Sequence, residues 1–167
     1  MNLAFLLAAA AFIPSSPSLG VAAGRCRANE PGPAILVDVV GLRDRQGLLK
    51  LEVYPSNDGD FLGDDNVLVM AGKIFRRVEM PTPQQGGIQI CIRVPRPGPY
   101  SLSLLHDRDS NHRFNVSSDG IGFSANPTLG WSKPSAAATR IIAGAGLTRT
   151  RIVINYRRGM SFRPLGH

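Results

Sequence analysis

IQICIRVPRPGPYSLSLLHDRDSN, residues 88–111, holds two alternating runs joined by a turn of prolines and a glycine. Ile88, Ile90, Ile92 and Val94 point one way while Gln89, Cys91 and Arg93 point the other, the period of a strand with one buried face. After the PRPGP turn, Tyr100, Leu102 and Leu104 alternate in the same manner with Ser101, Ser103 and Leu105. Two such runs across a short turn predict a hairpin. The alternation stops at His106, and Asp107, Asp109 and Asn111 then place oxygen-bearing side chains at every second position. Such side chains in a tight loop can converge on one hard cation, which is why calcium loops carry that spacing. The stretch reads as a rigid β scaffold carrying a long, polar, structured loop that runs on to Trp131.

Outward from this stretch, AILVDVV (34–40) is a β-branched run, and LLKLEVY (48–54) alternates Leu49, Leu51 and Val53 against Lys50 and Glu52. The glycine-bounded GLRDRQG between them predicts another antiparallel hairpin. KIFRRVEM (73–80) reads as a strand with a charged face, and residues 136–143 and 148–156 as a last strand pair around Gly144 and Gly146. Residues 67–71 suit a helix or a strand equally. The spacing predicts an all-β fold, an antiparallel sandwich of about seven strands of immunoglobulin type. Residues 34–156 form that domain, and the basic residues 157–167 form a fraying tail.

Residues 1–24 read as a secretory signal peptide. An uncharged apolar run from Leu3 to Ile13 is too short to span a membrane and leads to small residues suited to cleavage near Ala23, although no Lys or Arg precedes it. Residues 25–33 are then an N-terminal extension of a periplasmic or secreted chain with no transmembrane anchor after cleavage. Its two cysteines, Cys26 and Cys91, predict one disulfide. The net charge of +7 rests on sixteen Arg and three Lys. These are scattered without interleaved aromatics, which argues for solvated strand faces and against nucleic acid as a partner.

The residues VPRPGPYSLSLLHDRDSN, followed by GIGFSANP, resemble the secreted bacterial family known as domain of unknown function 2141. Gly41 and Leu42, Gly98 with Tyr100, His106, Asp107, Asp109, Asn111, and Gly120, Gly122, Phe123 and Ser124 carry the likeness. The resemblance implies a β sandwich related to transthyretin-like and carboxypeptidase-regulatory-like domains, and it implies no activity. His112 stands where the family pattern has glycine, and Asn115 where it has an acidic residue; both changes weaken a cation site.

The candidate metal ligands are Asp107, Asp109, Asn111, the carbonyl of Arg113, and Asp119, holding Ca2+ weakly in the 106–119 loop. The competing reading has the same side chains capping turns through backbone N–H groups. A second acidic group, Asp58, Asp60, Asp64 and Asp65, reads as an exposed turn. His106, His112, Phe123 and Trp131 are the candidate binding surface for an envelope protein or glycan. In the alternative for each, His106 is a hydrogen-bonded structural residue and the aromatics plug the end of the sandwich. Ser124 and Ser132 lie in no nucleophile-elbow pattern. Two functions follow: a non-enzymatic, envelope-associated binding module, or an envelope hydrolase using His106 and the loop carboxylates. A pocket holding His106, Asp107 and a third polar group would mark the second.

Overall fold

The computed structural model describes residues 12–166, which form ten strands and two short helices. Most of the apolar run of the expected leader lies outside the described residues. A small sheet holds β4 (Ile88–Arg93), β1 (Ala34–Val40) and β8 (Leu147–Val153), with β1 antiparallel to β4 and parallel to β8. The large sheet runs β10 (Ser161–Pro164), β9 (Asn155–Arg158), β6 (Gly120–Phe123), β5 (Gly98–Asp107), β2 (Leu48–Pro55), β3 (Arg76–Pro81). The seventh strand, β7 (Arg140–Ala143), pairs with the start of β5.

The alternations decide which faces meet. Ile35, Val37, Ile88, Ile90 and Ile92 of the small sheet bury against Leu49, Leu51, Val53, Leu102 and Leu104 of the large one. Each such side chain is worth about 1.5–3 kcal/mol relative to exposure. The sandwich is therefore as expected, but the predicted hairpins do not form. The strands β1 and β2 lie in different sheets, as do β4 and β5, while β7 and β8 pair with β5 and β1 rather than with each other. Alternation says that a strand has one apolar face. It does not say whether the next strand lies beside it, about 4.8 Å away, or across the core, about 10 Å away, and a connection of a few residues reaches either.

The expected tail also differs. Residues 155–164 make a hairpin through a two-residue turn in which Gly159 has φ +63°, and it extends the large sheet beyond β6. The short helices are α1 (Val21–Gly24) and α2 (Asp65–Met70). Residues 20–25 cover the free edge of β3: the Arg77 N–H donates to the Gly20 carbonyl, and a Cβ on Gly24 would stand 2.7 Å from the Arg77 carbonyl oxygen. Arg25 then bridges to Ile92, and Cys26 is bonded to Cys91, their Cα atoms 5.9 Å apart. The bridge closes a long loop, worth about 4 kcal/mol on the chain-entropy account. The boundary expected near Ala23 thus falls inside a packed segment.

Candidate functional site

Because β2, β5 and β6 are alternating strands, their second faces point away from the core and line up in register. Lys50, Leu105 and Ile121 form one row across the large sheet, and Glu52, Ser103 and Phe123 form the next. Residues 56–75 and 124–139 fold over one end of this outer face and build a second apolar cluster from Tyr54, Phe61, Leu68, Phe75, Phe123 and Ala136. Beyond that cluster the two rows remain as the floor of a cleft of about 320 Å³. Its walls are Leu62, Leu129, Trp131 and Pro134 on one side, with Phe114 from the 108–119 loop and Phe162 from β10. The Phe162 ring lies 6.0 Å from Phe114 and 5.8 Å from Trp131, centroid to centroid. Trp131 is 55% exposed and Phe114 46%, so both present ring surface at the mouth.

The polar part of the floor is already satisfied. Glu52 accepts from Arg77 Nε at 2.8 Å, the Tyr54 hydroxyl at 2.6 Å and Ser103 Oγ at 3.4 Å. Arg77 also pairs with Asp65 at 3.1 Å and donates to the Ser16 carbonyl at 2.7 Å. Burial and the adjacent Glu52 carboxylate push the Tyr54 phenol far above its ordinary range, so it remains a donor. At the rim, Lys50 Nζ donates to the His112 carbonyl at 3.0 Å, which ties the 108–119 loop to the floor.

That loop is built on carboxylates that accept backbone N–H groups. Asp107 takes those of Asn111 and His112, and Asp119 takes those of Arg108 and Asn115. Asp109 takes the N–H and side-chain amide of Asn111, whose own oxygen accepts the Arg113 N–H. Oxygen atoms of Asp107, Asp109 and Asp119 nevertheless lie within 4.8 Å of one another, a set that can in principle coordinate a divalent cation. Burial and these neighbouring carboxyl groups raise the affinity of Asp107 for a proton. Arg108 gives its guanidinium to Asp44, 2.5 Å away, and to the Ser118 carbonyl. The other acidic group is dispersed: Asp60 pairs with Lys73, Asp65 with Arg77, and Asp58 accepts the Ala136 N–H.

His106 sits on the opposite, inward face of β5 and is fully buried. Its Nε2 faces the Gln46 carbonyl at 2.8 Å and must donate, so Nδ1 accepts from the Tyr156 hydroxyl at 2.5 Å. Tyr156 in turn accepts the Arg43 N–H. The ring is a neutral strut between β5, β9 and the Gly41–Gly47 connection, with burial lowering its basicity. Neither ring nitrogen faces solvent, and neither His106 nor Asp107 lines the cleft. His112 lies outside the cleft against Glu79, at 3.0 Å.

The model of the family described as an uncharacterized protein conserved in bacteria (DUF2141) matches residues 37–151. The chain belongs to this family. No curated protein and no solved structure matches it. Within this DUF2141 domain the residues of the resemblance hold the frame. Tyr100 donates to the Arg96 carbonyl four residues upstream and closes the PRPG turn. A Cβ on Gly122 would stand 2.6 Å from the Ile152 side chain, so this glycine lets β6 approach the small sheet. Ser124 accepts the Leu102 N–H and donates to the Thr139 carbonyl, splicing β5 where β6 leaves it and β7 begins.

The cleft itself was only partly legible. Phe123 lies in its floor and Trp131 at its mouth, whereas Phe114, Leu129 and Lys133 stand in no sequence pattern that marks them. Phe162 had a signal: Gly159 flanked by YRR and SFR is a two-residue hairpin pattern. Among the described residues no helix is long and apolar enough to cross a membrane.

Proposed function

We propose that the protein is an exported, non-catalytic binding domain whose ligand lies in the cleft on the outer face of the large sheet. The observation that carries this reading is the pair of exposed aromatic rings, Trp131 and Phe114, held over a floor of Leu105, Ile121 and Phe123. A pocket of this size, mostly apolar with few polar groups, is the usual form of a small-ligand site. Of the expected envelope partners, a ligand with an apolar body fits better than a bare glycan, because Glu52 and Ser103 already spend their hydrogen bonds within the chain.

The test is titration with N-phenyl-1-naphthylamine, a neutral apolar fluorophore. Its emission should rise on binding, and Trp131→Ala should weaken that binding about tenfold, the scale of one buried aromatic contact. No binding to the unmodified chain, or binding indifferent to Trp131→Ala, contradicts the reading.

The 4.8 Å convergence of Asp107, Asp109 and Asp119 favours a second role, weak Ca2+ binding that fixes the loop carrying Phe114. Calorimetry with CaCl2 should then show heat that Asp109→Asn removes, and calcium should raise the melting temperature. No heat and no shift eliminates the cation.

A further inference from the structure

Charge is distributed unevenly around the cleft. Lys50 stands at its floor and Lys133 on its wall, and the Arg157 guanidinium lies 5.7 Å from the Trp131 ring centroid. Among the lining residues the one carboxylate is Glu52, and Arg77, its neighbour on the adjacent β3, holds it in a close ion pair. Lys50 lies 3.7 Å from that same carboxylate, which is thus shared between two cations. Among the described residues Lys133 has only carbonyl oxygens as partners, those of Phe61 at 2.9 Å and Asp58 at 3.3 Å. Arg157 donates to the Gly159 carbonyl. Among the described residues neither Lys133 nor Arg157 makes an ion pair, so the cleft combines an apolar interior with a cationic rim.

We infer that the ligand is a small amphiphilic carboxylate, its chain or ring against Leu105, Ile121 and Trp131 and its anionic head at Lys133 and Lys50. This rests on the binding role of the cleft and adds the charge and size of what fills it. At ~30 Å³ per non-hydrogen atom, taking water's share of liquid volume, 320 Å³ admits an apolar body of roughly ten atoms. A cationic head of the same length meets like charge at the rim, whereas a neutral head gains nothing there.

Trp131 is the single tryptophan of the chain, so its fluorescence reports occupancy without a label. The experiment titrates the full chain with decanoate, decan-1-ol and decyltrimethylammonium below their aggregation limits. Decanoate should bind about tenfold more tightly than decyltrimethylammonium, as rim charges of modest individual strength allow. Its affinity should fall with added salt while that of decanol does not. Lys133→Gln should bring decanoate to the level of decanol, and the salt series on the unmodified chain serves if that variant fails to fold. Equal affinity for all three, or preference for the cation, overturns the carboxylate while leaving the apolar site intact. Absence of binding by any of the three overturns both.

Discussion

Replacing Arg77 with methionine removes the cation on which the outer face is built. Its guanidinium is within 2.7–2.8 Å of Glu52, 3.1 Å of Asp65 and 2.7 Å of the Ser16 carbonyl, and its side chain is 8% exposed. Arg77→Met keeps much of the aliphatic stem but leaves two nearly buried carboxylates without their shared partner. Breaking a buried pair on one side costs about 3–5 kcal/mol, because the orphaned charge stays desolvated. With an m value of about 2 kcal/mol per molar, the urea midpoint should fall by about 2 M. Glu52→Gln placed in the Arg77→Met background should recover part of the loss, giving a coupling energy of about 1 kcal/mol or more in a double-mutant cycle. A loss under about 1 kcal/mol, or a coupling energy near zero in that cycle, would falsify the claim that this triad anchors the cleft floor.

A chain beginning at Gly24 lacks the Ser16 and Gly20 carbonyls that serve Arg77, so it should melt roughly 6 °C below a chain beginning at Pro14; equal melting temperatures would show that the segment only decorates the edge. Gly122→Ala forces a Cβ to 2.7 Å from the Val153 carbonyl and should cost about 1–3 kcal/mol in urea unfolding, where a neutral result would contradict the close approach of β6. His106 is held neutral, its folded pKa below the unfolded value of about 6.5, so its contribution is fully present above that pH and is lost as pH falls beneath it. The loss should reach at most about 1.4 kcal/mol per pH unit and be absent in His106→Gln, and an unchanged slope in that variant would refute it.

How far the sequence revealed the structure depended on which physical signal each part used. Strand positions came from the two-residue period, and β1 begins and ends where AILVDVV does. Sheet membership did not, because Gly41–Gly47 can turn within a sheet or cross between sheets, and the choice depends on faces that meet only after folding. His106 was readable as structural from its place at a strand end, but its partners Gln46 and Tyr156 are distant in sequence. The 108–119 loop was legible as an oxygen-rich turn system. Its candidate ligands Asp107, Asp109 and Asp119 do lie within 4.8 Å of one another, while the backbone N–H groups they accept depend on how the intervening residues fold. Lys50 and Glu52 read as the solvated side of a strand, yet the segments covering Tyr54 and Phe123 turn that side into a floor. Phe162 lies among basic residues that read as a tail, yet they fold as a hairpin on the sheet edge.

Backbone amide shift mapping during titration of the isotope-labelled chain with decanoate tests the central claim most directly. Shifts should concentrate at Lys50, Ser103, Ile121 and Leu129 and at the Trp131 indole, all on the outer face of the large sheet. Shifts confined to the small sheet, around Leu36, Cys91 and Arg149, would place binding on the opposite side of the sandwich and contradict the account.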